Sequence, residues 1–215
     1  MRLWWRLIRF GFRLLYNELA FTYDWVSWIV SLGAWRCWGR TSLKYLGAEK
    51  GAHILELAHG TGNLQLDLNT QGYHAVGYDL SPAMGQIARK KLGRSGFPSR
   101  LARGRAQMLP FAAETFAAVV STFPTDFITA PETVREVYRV LKPDGIFVIV
   151  PNALLTGGGL SERTLELLYR ITGQREGSGS RAQVVIEWFQ PFQVEVVEER
   201  CPRSVVIVII ARKTR

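Results

Sequence analysis

Beyond residue 50 the chain alternates short apolar runs with segments whose apolar residues recur at helical spacing. "AHILELA" predicts a buried strand, "NLQLDLNTQG" a helix closed by Gly72, and "HAVGYDL" a second strand. "SPAMGQIARKKLG" predicts a helix with Ser81 as N-cap and Pro82 at its first position, and "SRLARGRA" a weaker third strand. "FAAVVSTF" is a fourth strand, "PETVREVYRVL" a helix and "GIFVIV" a fifth strand. Further on, "SERTLELLYRITG" predicts a helix and "GQREGSGSR" a surface loop, while "FQVEVVEER" and "RSVVIVIIARK" form two β runs joined near Cys201 and Pro202. The expected fold is α/β, a Rossmann-like sheet of seven strands, mostly parallel, with an antiparallel C-terminal hairpin at one edge. Such doubly wound sheets take ligands at the carboxyl ends of their strands.

The first 45 residues follow a different pattern, and a boundary near Leu46 separates segment 1–45 from a domain over 46–215. If residues 2–16 are helical, Arg2, Arg6, Arg9 and Arg13 fall within roughly 60° of one another, at about 100° per residue. Trp4, Leu7, Ile8, Phe10, Phe12, Leu14 and Leu15 cover most of the remaining circumference. Two readings stay open. The amphipathic helix lies in a membrane interface with arginines at headgroup level, or it packs its apolar face on its own domain. The arginines also interrupt the apolar core that a secretory signal needs. "WVSWIVSLGAW", bounded by Asp24 and Arg36, has only about half the roughly 20 residues of a spanning helix.

Composition sharpens this picture. With 47% hydrophobic residues among 215, the chain can bury a sizeable core. The net charge of +9 points to an anionic partner. Segment 1–45 holds seven Arg or Lys, two acids and six of the seven Trp, so the basic and aromatic residues concentrate at one end. An anionic membrane surface is the expected partner. No nucleic-acid-binding module accompanies the aromatics, so nucleic acid is not expected. Cys37 and Cys201 are too few for a disulfide framework, lack metal spacing and fit a reducing compartment, which implies a cytoplasmic protein, peripheral at the inner face of the cell membrane.

The chemistry is carried by "ILELAHGTGNLQLDLNTQGYHAVGYDLSPAM". Gly60 and Gly62 allow a ligand close to the backbone, and Asp79 at the second strand's end can accept two hydrogen bonds from a ribose diol. Neither a glycine-lysine-serine loop nor a full G-x-G-x-x-G is present, which argues for a nucleoside rather than a phosphate. Taken with Glu56, this stretch resembles the first motif of the class I S-adenosylmethionine-dependent methyltransferases, E-x-G-x-G-x-G with an acid some twenty residues later. The resemblance covers Ile54 to Val150. Through "YDLSPAM", "QMLPF" and "REVYRVLKPDGIFVIV" it is similar to the subgroup of quinone-ring C-methylases and small-molecule methyltransferases. "LAFTYDWVS" is similar to that subgroup's lid segment.

The resemblance implies S-adenosyl-L-methionine as cofactor, with S-adenosyl-L-homocysteine as product. It assigns Asp79 to the ribose, Leu80 and Met84 to the adenine, and the backbone at Ala58, Gly60 and Gly62 to the methionine end. Glu56 orients the loop or reaches the amino group. Tyr23 covers the cofactor, Ala106 and Gln107 adjoin the adenine, and Thr122 and Phe123 border the methyl donor. Three positions depart from the family pattern: Ala58 replaces the first glycine, Arg105 the adenine-reading acid, and Ala117 the acid after Phe116. Methyl transfer is an in-line displacement that relies on positioning, so a base is needed only for weak nucleophiles. The candidates are Tyr23, His59 and Asp126, read otherwise as a packing aromatic, a loop residue and a helix cap. His53 and His74 read as structural. The expected acceptor is a small or lipid-soluble molecule, a quinone precursor or a phospholipid amine. A non-catalytic cofactor-binding or scaffold protein is the alternative, and the sequence gives no oligomeric state.

Overall fold

The computed structural model describes residues 11, 14, 18–156 and 187–214. Most of the 2–16 segment, the "SERTLELLYRITG" helix and the "GQREGSGSR" loop lie outside the described residues. Seven strands form one sheet in the order β3-β2-β1-β4-β5-β7-β6. They are β1 (His53–Leu57), β2 (His74–Asp79), β3 (Leu101–Arg103), β4 (Phe116–Thr122), β5 (Leu141–Leu155), β6 (Gln193–Cys201) and β7 (Ser204–Arg212). Neighbours from β3 to β5 pair in parallel, while β7 runs antiparallel to both β5 and β6. This is the expected Rossmann-like sheet with its C-terminal hairpin. β5 is longer than "GIFVIV" suggests, and a register shift between Phe116 and Ala118 lets it begin at Leu141.

The described helices are α1 (Tyr23–Val30), α2 (Trp35–Thr41), α3 (Asn63–Thr70), α4 (Pro82–Arg94) and α5 (Pro131–Val140). Alternation along each strand divides the core between the two sheet faces. Leu55, Leu57, Phe147 and Ile149 pack with Val134, Val137 and Val140 of α5. Ile54, Ala118, Val120, Val148 and Val150 pack on the other face with Trp38 of α2 and Leu64 and Leu68 of α3. The strand order reverses between β1 and β4, so the loops after these strands diverge and leave a crevice at their carboxyl ends.

The segment before Leu46 is anchored far along the chain. The Trp38 indole N–H donates to Ser204 Oγ at 2.7 Å, and Glu199 accepts from Lys44 Nζ at 2.7 Å and the Tyr45 hydroxyl at 2.5 Å. Cys37 and Cys201 are bonded to each other, which corrects the reading of two unpaired thiols. They are 164 residues apart in sequence, and only the packing of α2 against the β6–β7 turn brings them together.

A crosslink across so long a loop removes much of the unfolded chain's freedom, about 4–5 kcal/mol in the chain-entropy model. Reduction, or the pair Cys37→Ser and Cys201→Ser, should lower the thermal midpoint by roughly ten degrees or more. Thiol titration of the unfolded, unreduced protein should find no free thiol, and finding two would contradict the crosslink.

Candidate cofactor and methyl-transfer site

A cavity of about 680 Å³ opens at the strand-order reversal. Its floor is the loop from β1 to α3. Gly60 has a φ of +52°, and a Cβ there would meet no atom within 4 Å, so this backbone faces open space that a ligand can fill. Ala58 has a φ of +56°, the left-handed region that favours glycine, so alanine here carries strain on the order of 1 kcal/mol. Gly62 serves a different purpose. A Cβ on it would lie 2.8 Å from the Cβ of Ala88, so its role is the close approach of α3 to α4, and it does not line the cavity.

Asp79 ties this loop to the next. One carboxylate oxygen accepts from the Gly60 N–H at 2.9 Å and the other from the Ser81 N–H at 2.8 Å. Ser81 Oγ in turn accepts from the Met84 N–H at 3.2 Å and caps α4, as the sequence predicts. Each carboxylate oxygen has a second lone pair, so the group keeps acceptor capacity toward the cavity. Beyond Asp79 the wall is formed by Leu80, Met84, Ala106 and Gln107, and by Tyr78, Ser81, Arg103 and Arg105. The Arg103 Nε donates to the Leu80 carbonyl at 3.0 Å, which holds β3 to the loop after β2.

At the opposite end stand Thr122, Phe123 and Tyr23. Phe123 has a φ of +50°, held by its N–H donating to the Val150 carbonyl at 2.7 Å and by its ring stacked on Trp35 at 4.1 Å between centroids. Tyr23 meets the edge of the same Trp35 ring at 6.2 Å. This end of the cavity is therefore walled by aromatic faces. The helix carrying Tyr23 is latched down by its neighbour Asp24, which accepts from Thr61 Oγ1 at 2.6 Å, Lys91 Nζ at 2.9 Å and Asn63 Nδ2 at 3.0 Å. Burial alone would raise the Asp24 pKa, but the hydrogen bonds from Lys91, Thr61 and Asn63 outweigh it and hold the carboxyl below its usual value.

Besides Gly62, three predicted residues sit away from the main cavity. Glu56 is 2% exposed on the far side of Ala58, beside a small chamber that Tyr23 and Gly60 also border. Its Oε2 has no hydrogen-bonding partner, and burial pushes the carboxyl up to about 8, with Asp79 and Asp67 adding repulsion and Gln65 opposing. His59 is buried with its ring against Gly77, and its Nδ1 lies 2.9 Å from the Gly60 carbonyl. Burial lowers its pKa, and the Asp79 charge acts against that shift. Asp126 is exposed and opens a 3-10 turn. Of the three candidate bases, Tyr23 alone lines the cavity. Sequence reasoning missed Trp35 and Lys91, which stand in no distinctive local pattern, and Tyr78, which opens the "YDLSPAM" stretch directly before Asp79.

These residues fit an adenosyl amino acid. The Gly60 backbone is open to a ligand, Asp79 offers acceptors for a diol, and the orphaned Glu56 oxygen suits an ammonium. Among the described residues no cluster has the composition of a metal site.

Glu56 yields a pH test. Its folded pKa is raised above 4.5, so the stability it leaves intact at low pH is lost as pH rises from about 4.5 through about 8. The loss is on the order of a few kcal/mol. Without ligand, Glu56→Gln should flatten the fall of the melting temperature between pH 5 and pH 9. Parallel wild-type and variant curves would show that Glu56 does not titrate in this window.

A model of the methyltransferase domain matches residues 55–149. The demethylmenaquinone methyltransferase of Thermus thermophilus is 33% identical over 164 residues, spanning 75% of this chain and 72% of that protein. The enzyme of the same name from Chlorobaculum parvum is 34% identical over 148 residues, 66% of this chain and 60% of that protein. The chain thus spans only about 60% of the length of several curated relatives it matches. Among solved structures, a phosphoethanolamine N-methyltransferase 2 from Haemonchus contortus, in complex with S-adenosyl-L-methionine, superimposes with a TM-score of 0.60 at 17% identity. That match covers 85% of this chain and 53% of that one, and shows the shared fold. With fold, motif loop and relatives in agreement, the chain belongs to the class I S-adenosylmethionine-dependent methyltransferases of the quinone C-methylase type.

Proposed function

We propose that the protein transfers a methyl group from S-adenosyl-L-methionine to the ring of a lipid-soluble quinone precursor at an anionic membrane surface. The observation that carries this reading is the cavity's polarity. Asp79 and the open Gly60 backbone lie at one end, and Phe123 and Tyr23, both packed against Trp35, lie at the other. The first end suits a nucleoside and the second a flat, apolar ring. The names of the relatives support the acceptor class.

When bound, the cofactor supplies a sulfonium-activated methyl group. The protein's contribution is positioning. Asp79 holds the diol, Gly60 lets the amino acid end rest on bare backbone, and Glu56 faces the ammonium side. An ammonium beside Glu56 favours its ionised form, so cofactor binding near neutral pH should release a proton. Phe123, backed by Trp35, orients the acceptor ring, and Tyr23, the one of the three candidate bases that lines the cavity, can take or relay a proton. A phenolic ring that ionises easily needs little further help.

The sequence of residues 2–16, with Arg2, Arg6, Arg9 and Arg13 among apolar residues, supports membrane contact. The Cys37–Cys201 bond bears on location, because disulfides persist on oxidising sides of membranes and in the cytosol of hyperthermophiles. The peripheral position at the inner face of the cell membrane is a proposal, tested by whether the Cys37–Cys201 bond forms in the cell.

The test is transfer of labelled methyl from S-adenosyl-L-methionine, with a demethylated quinol and phosphatidylethanolamine offered together in vesicles. Label should appear on a ring carbon of the quinol, and Tyr23→Phe should lower kcat roughly tenfold or more. Label on the phospholipid amine would overturn the quinone reading. No label in either lipid would count against the activity itself.

A further inference from the structure

The lid helix α1 has its amphipathicity reversed. The face turned to the protein carries Ser27, 3% exposed, and after it comes Ser31, fully buried. The outward face carries Trp25 at 70%, Trp28 at 59% and Ile29 at 55% exposure, with Phe21 at 72% in the preceding turn and Leu32 exposed in the turn that follows. Positions 25, 28 and 29 have the spacing of a single helical stripe. An apolar stripe of this kind ordinarily points into a core, and a contiguous exposed aromatic patch marks a surface with an occupant.

Charge and position identify that occupant. Asp24, on the same helix, is paired with Lys91 of α4, and on either side of Lys91 the side chains of Lys90 and Arg94 are exposed. Helix α4 packs on the Ala20–Thr22 turn that carries Phe21 and leads into α1, so exposed cations stand on the element next to that end of the stripe. Indole rings flanked by Lys and Arg match the headgroup boundary of an anionic bilayer, where Trp sits at the interface and the cations meet lipid phosphates. Among the described residues no helix is long and apolar enough to cross a membrane, so the stripe would lie along the surface. Tyr23, at the start of α1, also lines the cavity.

We infer that the outer face of α1 (Trp25, Trp28 and Ile29), with Phe21 and Leu32 in the turns at its two ends, inserts into the interfacial layer of an anionic membrane and opens the aromatic end of the cavity toward the lipid. This rests on the lipid-soluble acceptor proposed above. It adds a docking element distinct from residues 2–16, and it makes the lid the port by which the acceptor enters. The latch through Asp24, Thr61, Asn63 and Lys91 then couples the membrane-facing helix to the loop under the cofactor.

The experiment uses the full chain with vesicles of phosphatidylglycerol and phosphatidylcholine. Hydrogen exchange of the wild-type protein should slow over residues 20–32 when vesicles are added. The double variant Trp25→Ser, Trp28→Ser should partition onto the vesicles roughly tenfold more weakly. Its KM for a vesicle-embedded acceptor should rise at unchanged kcat, while its affinity for S-adenosyl-L-homocysteine and its turnover of a short-chain soluble acceptor stay at wild-type levels. Lys90→Glu with Arg94→Glu should weaken partitioning on anionic vesicles alone.

Unchanged exchange over 20–32, or wild-type flotation of the double variant, would overturn the proposal. So would a wild-type dimer that the double variant converts to monomers, because the stripe would then belong to a second copy. Vesicle binding through α1 without methylation of any lipid would leave the docking surface standing and remove the acceptor assignment instead.

Discussion

The site depends on one carboxylate. Asp79 accepts from the backbone N–H of Gly60 with one oxygen and from that of Ser81 with the other, and so fastens the loop after β1 to the loop after β2. Charge-assisted bonds of this type are about twice as strong as neutral ones. They fix the open backbone of Gly60 at the cavity floor and present Ser81 to cap α4. A carboxylate placed this way has a double role. It builds the empty loop and still keeps acceptors for a diol, so a substitution there should disturb loop and ligand together.

Around that clamp the protein tolerates local strain. Ala58 and Phe123 both take left-handed backbone conformations, one at each end of the cavity. Surroundings that over-determine a conformation can hold such residues, and strain of this kind gathers at ligand sites. For Phe123 the surroundings are the hydrogen bond to Val150 and the ring of Trp35. Trp35 belongs to α2, which the Cys37–Cys201 bond and the Trp38–Ser204 hydrogen bond fix to β6 and β7. The aromatic end of the cavity is thereby braced from the far edge of the sheet.

The fold was legible because it rests on local signals. Strand and helix periods, the Ser81 cap and the turn chemistry each act within a few residues, and they agree with the global sheet. The loop-bound part of the site was legible for the same reason, since Ala58, Gly60 and Asp79 fall within one strand-helix-strand unit. What the sequence could not reveal depends on long contacts. Asp24 meets Thr61 across 37 positions and Lys91 across 67, and the cysteines meet across 164. Gly62 shows a subtler limit, because a glycine in a ligand motif also serves helix packing, and spacing alone does not separate the two. Glu56 likewise reads as a loop-orienting acid, while its burial and its raised pKa belong to the folded core.

The central claim is that this cavity binds an adenosyl amino acid through Asp79 and the Gly60 loop. Titration calorimetry of the intact chain with S-adenosyl-L-homocysteine tests it most directly, in wild type and in Asp79→Asn, which keeps the side chain's shape and removes its charge. The account predicts one site per chain in the wild type and an affinity at least about tenfold weaker in the variant, the loss expected for charge-assisted hydrogen bonds. Absence of binding at millimolar ligand in a folded wild-type protein, or equal affinity in both, would contradict it.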